Sequence, residues 1–254
     1  MLTFFKFPRL RSGFRYLSFS APFYKWRIVS GVCPGCNSKY FLSLHNNPFM
    51  IRCLSCMANI TNLSLIPVIK IHQKRHEVNN YWEMSTYGKT LEFLRKITKL
   101  GYESEYYQGF KSGEIVDGIL NQDVQDSTFA DSSLDLITSS QVFEHVPDDL
   151  KAFHECFRIL KKGGALIFTV PLHNLNSTRM RAELDNKGQI VFHGEPEYHD
   201  SRNAGPNSAL VFWDHSVNDI LDRVSQVGFD AEFIDVMISK NQSIPTKVIY
   251  AIKK

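Results

Sequence analysis

The stretch that most restricts the fold runs from residue 134 to 171, LDLITSSQVFEHVPDDLKAFHECFRILKKGGALIFTVP. It reads as strand, turn, helix, Gly-Gly stop and strand. The helix, DDLKAFHECFRILKKGG, opens on acidic residues, carries lysines in its last turn and meets Gly163-Gly164 where it should end. Leu150, Phe153, Phe157 and Leu160 fall on one face of it. A strand-helix-strand unit of this kind is half of a nucleotide-type α/β domain, with a mostly parallel sheet covered on both faces.

The flanking pattern extends the unit in both directions. NNYWEMS predicts a first strand, and YGKTLEFLRKITK a helix with Leu91, Leu94 and Ile97 on one side. YESEYYQ predicts a second strand, and GEIVDGILNQD leads into a third. LDLITSS and ALIFTVP are the fourth and fifth. HSVNDILDRVSQVGF predicts an amphipathic helix with Val217, Ile220, Leu221, Val224 and Val227 on its core side and Gly228 at its end. DAEFIDVM and KVIYAIKK close the chain without an intervening helix, so the final pair is expected antiparallel. The expected fold class is therefore α/β: a doubly wound, mostly parallel seven-stranded sheet with an antiparallel last strand.

A second element precedes it. Cys33-Pro-Gly-Cys36 and Cys53-Leu-Ser-Cys56 are two C-x-x-C knuckles separated by sixteen residues. Each knuckle presents two thiolates from one tight turn, and two facing knuckles close a tetrahedron around a borderline-soft cation. The intervening SKYFLSLHNNPFMIR turns at Asn46-Asn47-Pro48 and reads as a hairpin. Two disulfides, a rubredoxin-like iron site or unused thiols are the alternatives. Nothing signals the export that disulfides need, and a small N-terminal ribbon holding structural Zn2+ is expected. Cys156 stands alone on its helix and reads as an ordinary buried thiol.

Charge is unevenly placed. The chain of 254 residues has a net charge of +3, yet the first acidic residue is Glu77. A basic end on an acidic body suggests an anionic partner: RNA, a phosphorylated carrier or a membrane surface. Residues 1–28 are basic and aromatic. No apolar run is long enough to span a bilayer and no secretory core is present, so a cytoplasmic location is expected. The expected organisation is a basic aromatic segment (1–28), a zinc ribbon (29–60), a linker (61–78) and the α/β domain (79–254).

The segments LDLITSSQVFEHVPD and RILKKGGALIFTVP, with the closing helix and its two strands, resemble class I S-adenosylmethionine (SAM) methyltransferases with an N-terminal four-cysteine ribbon. The resemblance covers about residues 79–254 and implies a SAM-dependent methyltransferase with a Rossmann-like core. It departs at the first loop, where WEMSTYG replaces a Gly-rich turn and Gly88 is the sole glycine. A dinucleotide needs those glycines for its pyrophosphate, whereas SAM carries none. The resemblance implies Glu83, Ser85 and Gly88 at the cofactor, Glu105 at the ribose with Glu103 as competitor, and Asp123 at the adenine. Ligands of open α/β sheets sit beyond the carboxyl ends of the strands. Ser139, Ser140 and Gln141 lie at such an end and are expected to face cofactor and substrate. Asp135 starts its strand and is expected to be structural.

Residues 172–213 form an insertion too long for a plain connection, and it is expected to act as a lid that selects the acceptor. Methyl transfer is an in-line displacement, so the enzyme mainly aligns the reactants. A hydroxyl acceptor also needs a base, for which His145, His193 and His199 are the candidates. His193, Glu195 and His199 are not expected to converge on a metal. The expected acceptor is a small molecule or a glycan. The alternatives are an RNA methyltransferase that grips its substrate with the ribbon, and a non-catalytic methyltransferase-like binding protein.

Overall fold

The computed structural model describes residues 26–43, 50–201, 205–239, 242 and 245–254. The basic aromatic segment, apart from its last three residues, lies outside the described residues, as does the Asn46-Asn47-Pro48 turn. Three short strands come first: β1 (Arg27–Ser30), β2 (Tyr40–Ser43) and β3 (Ile51–Cys53), paired antiparallel in that order. They are too small to close a core alone. Val29, Phe41, Ile51 and Cys53 instead join the main core. Two bonds fix the ribbon to the end of the chain. The Val32 N–H donates to the Ile238 carbonyl at 3.2 Å, and the Ser239 hydroxyl donates to the Ser30 carbonyl at 2.7 Å.

Residues 61–78 correct the expectation of a linker. Helices α1 (Ile60–Leu63) and α2 (Leu65–Gln73) occupy most of them, with Leu65, Ile66, Val68 and Ile69 buried. Pro67 does not prevent this. It falls in the first turn of α2, where its missing N–H costs no helical bond.

The α/β body follows as β4 (Asn80–Glu83), α3 (Lys89–Ile97), β5 (Leu100–Glu105), β6 (Ile115–Val116), β7 (Ile119–Asn121) and β8 (Leu134–Ser140). A 3-10 turn at Phe143–His145 leads into α4 (Asp149–Ile159) and β9 (Leu160–Thr169). The insertion holds β10 (Leu172–His173), β11 (Arg179–Met180), β12 (Ala182–Leu184), β13 (Ile190–Phe192), β14 (Tyr198–Ser201), β15 (Gly205–Leu210) and β16 (Trp213–Ser216). Then come α5 (Ile220–Ser225), β17 (Phe229–Val236) and β18 (Thr246–Lys253).

The main sheet has the order β17-β18-β9-β8-β4-β5-β7-β6. Its central strands are parallel, and β18 runs antiparallel to both β9 and β17. Eight strands stand where seven were expected. The added one, β6, is two residues long and folds back on β7 at Asp117-Gly118. Both turn residues have positive φ, 50° and 79°, as a two-residue hairpin turn requires.

Alternation along each strand supplies two cores. Tyr81, Ile167 and Tyr250 face α1, α2, α3 and the ribbon. Trp82, Phe168 and Ile249 face α4 and α5. Both helices on this second face are shorter than their sequence pattern. The N-terminus of α4 is capped by the Asp148 carboxylate, which accepts from the Lys151 N–H, but the helix ends at Ile159. The glycine pair lies in the entry to β9. A Cβ on Gly164 would come within 2.9 Å of the Lys161 carbonyl and 3.0 Å of the Asp135 carbonyl, so this glycine serves strand approach rather than a helix cap. α5 keeps only six residues, because Trp213–Ser216 extend as β16 between β10 and β11.

Candidate active site and cysteine cluster

The carboxyl ends of β4, β5, β7 and β8 converge on one side of the sheet, and a cavity of about 110 Å³ opens there. Trp82, Ser104, Tyr106, Asp123, Val124, Val142 and His145 are among its lining residues. Trp82 is buried, and its indole N–H donates to the Ser104 hydroxyl at 2.8 Å, which fixes the floor. Trp82, Ser104 and Tyr106 were not singled out from the sequence. Their alternate positions on two adjacent strands were the available signal, since such residues share a face.

The expected cofactor residues divide. Asp123 lines the cavity, and its Oδ1 accepts from the Gln125 backbone N–H at 2.8 Å. Glu105 Oε1 accepts from both the N–H and the hydroxyl of Thr86, at 2.9 and 2.8 Å, and so holds the single-glycine loop to the end of β5. Glu103 is occupied elsewhere, by Arg95 and by the Tyr81 hydroxyl. Ser85 shares a local turn with Tyr87, and Gly88 caps α3 with φ 110°, a conformation that favours glycine. Glu83 is buried inside the sheet and accepts from the Thr138 hydroxyl. Burial pushes its carboxyl up to about 8, against the lowering effect of the Thr138 bond.

The end of β8 is strained and under-bonded. Gln141 has φ 62°, and its buried side-chain oxygen has no hydrogen-bond partner; nor does the Ser139 hydroxyl. Strain of this kind clusters at ligand sites. The Ser140 hydroxyl lies 3.4 Å from that of Thr169. Asp135, at the opposite end of the strand, is a brace. It accepts from the Asn79 and Asn80 N–H groups at 2.9 and 3.1 Å and pairs with Lys161 at 2.8 Å.

The three candidate bases are not together. His145 Nδ1 lies 2.8 Å from the Leu210 carbonyl, and its Nε2 lies 3.3 Å from His199 Nδ1. Burial brings His145 down to about 4. The adjacent Glu144 is buried, and that burial raises its carboxyl to about 8. His193 lies apart, paired with Glu183 at 3.1 Å, in a second recess of about 130 Å³ with Arg179, Arg181 and Glu195.

The ends of the insertion are tied down by a buried network. Asp149 of α4 binds His215 of β16 at 3.1 Å and also Arg223 of α5. Arg179 and Arg181 both pair with the buried Asp214.

The ribbon brings its four thiols together. Cys33 and Cys56 Sγ are 3.8 Å apart, Cys36 and Cys53 Sγ 3.5 Å apart, and all four sulfurs lie within 4.8 Å of one another. A tetrahedral site with metal–sulfur bonds of about 2.3 Å sets its sulfurs about 3.8 Å apart. Asn37 and Met57, each one residue past a knuckle, both have φ near 60°, so the two knuckles share one turn geometry. All four cysteines are free thiols, and Cys156 is a separate buried one.

Residues 91–168 match the family model of the methyltransferase domain. This segment of 78 of the chain's 254 residues is similar to the methyltransferase domain family. The match ends in β9 and takes in the strand ends that carry Glu105, Asp123, Ser140 and Gln141. Among solved structures, a SAM-dependent methyltransferase from Mesorhizobium loti is similar at 13% identity and TM-score 0.48, over 75% of this chain and 98% of that one. DesVI of Streptomyces venezuelae is similar at 11% identity and TM-score 0.48, over 76% and 92%. A SAM-dependent methyltransferase from Clostridium acetobutylicum is similar at 13% identity and TM-score 0.46, over 76% and 90%. The comparison with curated proteins found no match. No helix among the described residues is long and apolar enough to cross a membrane.

Proposed function

We propose that this methyltransferase acts on a small-molecule or glycan acceptor and binds SAM across the carboxyl ends of β4, β5, β7 and β8. The observation that carries the reading is the apolar cavity with one carboxylate, Asp123, at its wall. A cavity of about 150 Å³ takes up benzene. The recess of about 110 Å³ is smaller than that but opens at the strand ends, so adenine would enter it in part, with the rest of the nucleoside lying outside. Asp123 would meet the adenine amino group there. Glu105, Ser85 and Gly88 would hold the ribose and the methionine portion along the strand ends, with Ser140 and Gln141 opposite. Glu83 would support the loop from beneath. SAM supplies an already activated methyl group.

The protein's own part is alignment and proton handling. The His145–His199 pair is where the proton of a hydroxyl acceptor would be drawn off. His193, with Arg179 and Arg181, belongs to the acceptor recess. That compact recess in the insertion favours a small acceptor over RNA. The four ribbon thiolates would hold a structural Zn2+, which leaves no open position for catalysis. The test is transfer of labelled methyl from SAM into fractionated cell extract. Label in the low-molecular-mass or glycan fraction supports the reading. Label confined to RNA, falling steeply with salt, would replace it with the nucleic-acid alternative.

A further inference from the structure

Glu144, His145 and His199 meet in an arrangement that goes beyond what proton removal by the His145–His199 pair requires. Their ligand atoms all lie within 4.8 Å of one another. Glu144 is buried to 1% exposure, and neither carboxylate oxygen has a hydrogen-bond partner. A buried, unpartnered carboxylate is costly and needs a compensating group. The nearest is His145 Nε2, 3.7 Å from Glu144 Oε1.

The tautomer of His145 is set by its carbonyl partner. His145 Nδ1 faces the Leu210 carbonyl at 2.8 Å, and a carbonyl only accepts, so Nδ1 bears the proton and Nε2 a lone pair. His199 Nε2 lies 3.5 Å from the Glu197 carboxylate, and the tautomer with its proton there would leave the Nδ1 lone pair for a cation. The two inner ring nitrogens, His145 Nε2 and His199 Nδ1, face each other at 3.3 Å beside the Glu144 carboxyl. A cation among the three donor atoms would compensate the buried Glu144 carboxyl and bridge the two rings. Ligands about 2.1 Å from a metal sit roughly 3.0–3.4 Å apart; the two ring nitrogens are 3.3 Å apart, and Glu144 Oε1, 3.7 Å from His145 Nε2, would move inward on binding. The carbonyl and carboxylate behind the rings are the partners that orient imidazoles at metal centres.

We propose that Glu144, His145 and His199 form a second metal site, which takes a borderline first-row divalent cation of the Zn2+ class. Two imidazoles and one carboxylate suit such a cation better than Mg2+ or Ca2+. Three protein ligands leave a coordination position open, unlike the closed four-cysteine cluster. Glu144 and His145 belong to the turn after β8, and His199 belongs to β14 of the insertion, so the cation would also tie the insertion to the core. His145 lines the cavity at the strand ends. If the methyl-transfer reading holds, the open position would take an oxygen of the acceptor, a hydroxyl or a carboxylate; the cation would then replace the rings in lowering a hydroxyl's pKa, and the proton would leave to solvent.

The test is calorimetric titration of Zn2+ into the full chain after the cysteine cluster has been filled, with metal content measured in parallel. Wild type should bind one further equivalent. His199→Ala, on the insertion surface, should weaken that step at least a hundredfold, and Glu144→Gln at least tenfold. His193→Ala should leave it unchanged. SAM binding, measured on the same samples, should survive His199→Ala, which separates this proposal from the cofactor reading. The proposal is overturned if wild type takes up no further equivalent, if His199→Ala binds it undiminished, or if His193→Ala abolishes it.

Discussion

Glu83→Gln should make the protein more stable at neutral pH and flatten its stability curve. Glu83 is buried at the end of β4, and burial raises its carboxyl from 4.5 to about 8, with the nearby Glu105 and Glu103 carboxylates adding to the rise. An acid whose folded pKa lies above its unfolded value stabilises the fold in its protonated form. That stability is fully present below pH 4.5 and is lost as pH rises through about 8. Between those limits the unfolded chain holds fewer protons, so stability falls by up to about 1.4 kcal/mol per pH unit, about 5 kcal/mol as a ceiling for the whole interval. Gln keeps the shape and an oxygen for the Thr138 hydroxyl but never ionises. Urea unfolding of both chains from pH 5.5 to 8.5, at fixed ionic strength and zinc, reads the difference. Glu144 also titrates high, so the wild-type slope is not that of Glu83 alone. The gap between the two chains isolates it and should widen with pH. Parallel curves would refute the reasoning.

Other consequences follow from named contacts. Asp149→Ala removes the partner of buried His215 and of Arg223. It should cost about 3–5 kcal/mol in thermal or chemical unfolding, the usual result of leaving a buried charge unpaired. Glu105→Ala frees the Thr86 loop and should weaken SAM binding while leaving the far-ultraviolet circular dichroism unchanged; unaltered affinity would place the ribose contact elsewhere. A strong chelator should release the ribbon before the sheet, seen as faster hydrogen exchange at residues 29–43 than in β8, because metal binding supplies folding energy the small ribbon lacks. Gently purified protein without zinc would count against that.

The wound sheet was legible in the sequence because its parallel strands are apolar runs punctuated by amphipathic helices. The role of Asp135 was legible from topology alone, since a residue at the amino end of a strand cannot reach a ligand beyond the carboxyl end. Element lengths were not legible. The pattern KKGG is the same whether a helix stops there or a strand begins, and only the close approach of the Leu134–Asp135 backbone to Gly164 decides it. The 61–78 segment is helical rather than a linker, and Pro67 is compatible with that because it falls in a first turn. The meeting of His199 with Glu144 and His145 spans more than fifty residues and depends on how β14 pairs with β15, which no local pattern encodes. Glu83 shows a related limit: its position matched a cofactor residue, while its burial and its bond to Thr138 arise from the neighbouring strand.

The central claim is that strand ends served by a single-glycine loop still hold SAM beside Asp123. Calorimetry with SAM on wild type and Asp123→Ala tests it most directly. One equivalent bound by wild type, with affinity at least tenfold weaker in the variant and the fold retained, is the predicted result. No heat and no thermal stabilisation of wild type at millimolar SAM would contradict it.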